Sequence, residues 1–147
     1  MTWWKKLFGL PDPGDERVDY YEEGVHLLQA ERFDDALTSF RLALKESPGD
    51  AVVLQQIAIT YTKMGLLEQA AKTYRHVLQK EPSAPGANYG LAYLLLRSGY
   101  EEEARSHLET FLANPPEGPE AHEHISHARA TLEELRGTRS RGGADGP

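Results

Sequence analysis

The chain has 147 residues, 39% of them hydrophobic, and a formal net charge of -7 at pH 7, a balance that suits one soluble domain with a modest core. No apolar run approaches the roughly 18 residues of a membrane-spanning helix, and the absence of cysteine excludes disulfides, thiolate metal sites and thiol catalysis. The negative charge sits in the middle: residues 1–10 hold two lysines and no acid, and residues 136–147 hold three arginines against one aspartate. An acidic body repels phosphate backbones, which makes nucleic acid a poor partner for it.

Residues 1–10, MTWWKKLFGL, concentrate large apolar side chains around two charges. As a helix, Trp3, Leu7 and Leu10 share one face, Trp4 and Phe8 lie beside it, and Lys5 and Lys6 fall largely opposite. The apolar part is too short for a signal peptide, so export is not indicated. Tryptophans beside lysines suit the headgroup region of an anionic membrane. The set Trp3, Trp4, Lys5, Lys6, Leu7 and Phe8 suits a protein groove equally well, and both uses stay open. Residues 11–16, PDPGDE, carry two prolines and a glycine, cannot continue a helix, and form a linker.

From Arg17 the apolar spacing becomes helical. Tyr20, Gly24, Leu27 and Leu28 mark a first helix, Glu31 to Phe33 a turn, and Ala36, Leu37, Phe40, Ala43 and Leu44 a second helix that ends at Pro48 and Gly49. Shifting the chain by 34 residues repeats the pattern. Gly24, Ala58 and Ala92 align, as do Ala36, Ala70 and Ala104, Phe40, Tyr74 and Leu108, and Pro48, Pro82 and Pro116. Small residues let the two helices of a copy approach, and the large residues one turn away fill the remaining gap. A pair alone cannot bury its outer stripe, so successive pairs must stack. Gly65 and Gly99 close the first helices of the later copies, as residues able to take positive φ. Residues 119–136 make a seventh helix with Ala121, Ile125, Ala128, Leu132 and Leu135 on its stripe and a polar outer side, which suits a cap. Residues 137–147 are expected to be an unstructured tail.

On these residues the chain resembles the tetratricopeptide repeat family, in three copies at 17–50, 51–84 and 85–118. The aromatic residue usual early in the first helix is Tyr20 here but Leu54 and Asn88 in the later copies. The resemblance implies an all-α fold, a right-handed helical solenoid of three helix-turn-helix units with 119–136 as the capping helix. It also implies a concave groove lined by the first helix of each copy. The groove positions carry over as Val18, Tyr21, Val25, Leu28 and Gln29, then Val52, Gln55, Ile59, Thr62 and Lys63, then Gly86, Tyr89, Tyr93, Leu96 and Arg97. The subgroup that grips a terminal carboxylate uses positions occupied here by Tyr21, Val25, Gln56, Gly86 and Gly90, so that clamp is not expected. Tyr21, Tyr89 and Tyr93 are the expected anchors for an amphipathic helix or extended apolar peptide, with Lys63 and Arg97 as electrostatic guides.

No catalytic, cofactor or metal site is expected. His122, His124 and His127 crowd one segment, but on a helix only His124 and His127 are neighbours, and the geometry lacks fixed third and fourth ligands. They read as a polar outer face. Glu101 to Glu103 open a helix, where the dipole favours negative charge, and no glycine-rich phosphate loop or nucleophile elbow is present. The expectation is a cytoplasmic, non-enzymatic scaffold that binds a protein or peptide. Two alternatives stand beside it: a peripheral membrane component held by residues 1–10, and a self-assembling scaffold whose N-terminal segment occupies the groove of the next molecule.

Overall fold

The computed structural model describes residues 18–144, with side chains through residue 138. The N-terminal segment 1–10 and the linker 11–16, with the membrane, partner and self-assembly expectations placed on them, lie outside the described residues. Seven α-helices follow in order: α1 Tyr20–Gln29, α2 Phe33–Glu46, α3 Ala51–Lys63, α4 Leu67–Lys80, α5 Pro85–Arg97, α6 Glu101–Ala113 and α7 Ala121–Ala144. Helices α1 and α2 belong to one compact unit, and α3 to α7 to a second. Among the described residues there is no strand.

The first helix of each pair stops in the same way. Residues 31, 65 and 99 take φ of 60, 80 and 86°, and the next amide donates back five residues: Arg32 N to Leu27 O at 2.9 Å, Leu66 N to Tyr61 O at 2.9 Å, Tyr100 N to Leu95 O at 2.8 Å. This left-handed cap satisfies carbonyls that the helix end leaves open and turns the chain into the second helix. Glycine takes that conformation at no steric cost in the later copies. In the first copy Glu31 is forced into it. Helix starts are set by side chains: the Asp19 carboxylate accepts from Glu22 N at 3.1 Å, the Asp50 carboxylate accepts from Val52 N at 2.9 Å, and Pro85 opens α5.

Within the first unit, α1 crosses α2 at Gly24, where a Cβ would sit 2.5 Å from the Phe40 ring. Phe40 is fully buried, and the Tyr21 ring lies 6.2 Å from it in a tilted pair. Within the second unit, Ala58, Ala70, Ala92 and Ala104 are all fully buried, so the close approach inferred from the sequence is made by these alanines. At the position where Tyr20 and Leu54 stand, buried Asn88 binds the chain behind it: Nδ2 donates to Pro82 O at 3.0 Å and to Ala84 O at 3.1 Å. With both amide hydrogens used, its Oδ1 accepts from His107 Nδ1 at 2.9 Å, which fixes the His107 tautomer. Burial lowers the His107 pKa, Glu103 raises it and Arg75 lowers it, while Arg75 and Glu103 pair at 2.9 Å. An unusual residue for the repeat is thus satisfied by a network that ties α4, α5 and α6 together.

Helix α7 packs on the last pair. Ala128, Leu132 and Leu135 join Ala92, Leu108 and Phe111 in one core, with Leu96, Leu112 and Ile125 against it. The helix starts at Ala121 and runs to Ala144, which corrects the expected boundaries of 119–136 and the unstructured tail from 137. No proline follows Pro119 until Pro147, and Thr138 Oγ1 donates to Glu134 O at 2.9 Å, so nothing local ends the helix at Arg136.

Candidate functional site

Four residues of α3, Gln55, Ile59, Thr62 and Lys63, follow the i, i+4, i+7, i+8 spacing and share one face. They face Gly86, Tyr89, Gly90, Tyr93 and Arg97 of α5 across a cavity of about 560 Å³. Tyr74 from α4, Leu94 from α5 and Phe111 from α6 line it as well, as do Pro116 and His124. The volume falls in the range of ligand pockets, which are mostly apolar with a few placed polar groups. The walls carry no carboxylate, and the charged side chains at the rim are Lys63 and Arg97.

Two glycines make the space. A Cβ at Gly90 would lie 2.5 Å from the Tyr74 hydroxyl oxygen, and one at Gly86 would collide with the Gln55 carboxamide. Side chains on α5 at these points would fill the cavity or displace α3 and α4.

The two expected anchors on α5 are held by the chain itself. The Tyr89 hydroxyl hydrogen-bonds with His127 Nδ1 at 2.8 Å, and the His124 ring lies 4.9 Å from the Tyr89 ring. Tyr93 stacks on His127 with centroids 4.7 Å apart and planes 10° from parallel. Thr131 Oγ1 donates to His127 O at 2.9 Å, so its one hydrogen is used and the Tyr93 hydroxyl donates to Thr131 Oγ1 at 2.9 Å. Burial, with the neighbouring Tyr93, pushes the Tyr89 phenol up to about 12, and burial raises that of Tyr93. Both therefore stay protonated near neutral pH. The histidines lie on the exposed face expected of them and also contact these rings. His127 keeps a ring face on Tyr93, and His124 lies tilted at 45° to Tyr89.

Of the residues expected to line a groove, Gln55, Ile59, Thr62, Lys63, Gly86, Tyr89, Tyr93 and Arg97 meet at this cavity. Leu96 does not; it packs toward α7 with the core. In the first unit Leu28 is buried, Val25 is half-buried, and Tyr21 lies against Phe40. Tyr74, Leu94, Phe111, Pro116 and His124 were not foreseen. The signal for Tyr74 was present: at the register of Phe40 and Leu108 it alone carries a hydroxyl.

Paired antiparallel helices at a 34-residue period, closed by recurring left-handed turns and carrying a lined cavity on their first helices, define a helix-pair repeat protein. The tetratricopeptide repeat model matches residues 27–76 and 65–130, and the chain belongs to the tetratricopeptide repeat family. Similar curated relatives include the peroxisomal targeting signal receptor of Candida albicans, 28% identical over 109 residues, covering 74% of this chain and 18% of the receptor. Another is the photosystem I assembly protein Ycf3 of Synechococcus sp., 31% identical over 93 residues, covering 60% of this chain and 54% of that protein. The chain thus spans about half the length of one and under a fifth of the other. Among solved structures it is similar to the Yersinia enterocolitica type III secretion chaperone SycD in complex with a peptide of the translocator YopD. That match has TM-score 0.75 and 20% identity, over 82% of this chain and 92% of that one. PcrH from Pseudomonas aeruginosa matches with TM-score 0.72 and 24% identity over 80% and 89%. Among the described residues no helix is long and apolar enough to cross a membrane.

Proposed function

We propose that the chain is a non-catalytic binding module that holds a segment of a partner protein in the cavity between α3 and α5. The observation that carries this is the cavity itself: about 560 Å³, walled by Ile59, Tyr89, Tyr93 and Phe111, and rimmed by Lys63 and Arg97. Aromatic walls with few polar groups are the surface on which binding hot spots form. A family neighbour, SycD, is recorded with a peptide of its translocator, which supports a peptide as the ligand class here. Because α7 holds Tyr89 and Tyr93 from one side, these rings are pre-oriented walls, and fixed side chains lose less entropy on binding.

Panning the full chain against a displayed library of random twelve-residue peptides tests this. Peptides recovered should bind competitively with one another and lose about tenfold in affinity to an Ile59→Ala variant, the loss usual for a hot-spot side chain. Ile59 is half-buried on the cavity wall, so an unchanged melting temperature certifies that variant. Tyr93→Ala should weaken the same peptides by about 1–3 kcal/mol. Recovered peptides that bind both variants as they bind the parent chain would place the site elsewhere.

A further inference from the structure

Resting on the groove reading above, we infer that the cavity selects an extended peptide segment with acidic residues beside its apolar ones, and that Tyr74 and the Lys63–Arg97 pair are what select it. Three tyrosines line the cavity, and two have their hydroxyls committed to α7, Tyr89 to His127 and Tyr93 to Thr131. The third is different. Tyr74 is 4% exposed, and its hydroxyl has no hydrogen-bond partner among the described residues. Burial raises this phenol to about 12, so near neutral pH it is an O–H donor. The hydroxyl is not sealed in the core but reaches the cavity, where it donates to water or to a ligand acceptor. Gly90 keeps the approach open, because any Cβ there would stand against that oxygen. An acceptor lodged in the cavity, such as a peptide carbonyl, completes the hydrogen bond.

Charge sets the second requirement. Lys63 and Arg97 stand 34 residues apart, each the last residue of its helix, and neither has an ion pair among the described residues. A helix C-terminus accounts for a cation in the last turn. It does not account for a cavity whose walls hold no carboxylate in a chain with 23 acids and 16 bases. The site therefore inverts the sign of its surroundings, and a ligand carboxylate at this end meets two cations. Along α3, Gln55 to Lys63 spans about 12 Å at 1.5 Å per residue, the length of about four residues of extended chain.

Fluorescence anisotropy with the full chain and three pools of labelled ten-residue peptides tests this. The pools share four randomised central apolar residues and differ in their flanks, all Glu, all Gln or all Lys. The Glu pool should bind about tenfold tighter than the Gln pool and the Lys pool weakest, with that advantage shrinking at high salt. It should vanish in the Lys63→Gln, Arg97→Gln double variant, whose exposed positions leave folding intact. Tyr74→Phe should weaken the Glu and Gln pools alike by about tenfold, the loss of one hydrogen bond, with the melting temperature held. Equal affinity of the Glu and Gln pools, or parental binding by Tyr74→Phe, overturns the inference and leaves an apolar peptide groove standing. Failure of every pool to bind removes the groove reading and this inference with it.

Discussion

Phe40 and Tyr74 hold the same register in successive copies, and their surroundings differ. Phe40 is fully buried and presses on Gly24 of its own pair, with Tyr21 alongside; every atom of its ring is spent on packing. Tyr74 is almost as buried, but the glycine beside it is Gly90, on the first helix of the following copy, and its hydroxyl opens into a cavity. A repeat fixes where a large side chain goes. What that side chain does depends on which neighbouring helix carries the glycine. In one copy the register stabilises a helix pair, and in the next it lines a cavity.

The sharpest way to break this comparison is truncation. Phe40→Ala should cost about 3–5 kcal/mol by cavity formation, read by denaturant melts, whereas the parallel loss of the Tyr74 hydroxyl should leave stability nearly unchanged. A small loss for Phe40→Ala would mean the first pair is not held by that contact. The turns offer a second contrast, of opposite sign. Glu31 adopts the positive φ that Gly65 and Gly99 adopt freely, a strain of about 1 kcal/mol or more for a residue with a Cβ. Glu31→Gly should therefore raise stability by about 1 kcal/mol, with a correspondingly higher melting temperature. No gain would show that Glu31 makes a compensating interaction.

The smallest effect concerns Asn88, which stands where the earlier copies use Tyr20 and Leu54. His107 donates to it, and burial lowers the His107 pKa below 6.5 in the folded chain. The unfolded chain therefore takes the proton first as pH falls. The stability that neutral His107 supplies is full above about 6.5 and is lost as pH drops through the folded value. Melting curves of the chain and of His107→Gln, which donates to Asn88 without titrating, should diverge below pH 6.5, with the parent falling faster. Parallel curves would assign the acid sensitivity to other groups.

The fold was largely legible because it rests on periodicity. Small residues at Gly24, Ala58 and Ala92 and at Ala36, Ala70 and Ala104, with the turns at residues 31, 65 and 99, recur at one interval and need no tertiary information. The cavity was legible on α3, where Gln55, Ile59, Thr62 and Lys63 point one way. It was less so on α5, since the stripe facing the cavity and the stripe facing α7 overlap; Leu96 fell on the wrong side of that division. The contacts of the exposed His124 and His127 with tyrosine were missed for a related reason. Hydropathy scores imidazole as polar and carries no record of ring stacking on tyrosine, so a face that braces two aromatic rings looks like one meant for water. The far end of α7 was missed because glycine and arginine composition argues for disorder, while the terminator that would enforce it, a proline, comes only at residue 147.

The cavity takes its walls from five successive helices, α3 to α7. A molecule lodged there acts as a splint across the junction between two copies, resisting the local opening by which stacked arrays fray. Occupancy and mechanical stiffness would then be a single event, so a partner held there would also decide how firmly the repeats hold together.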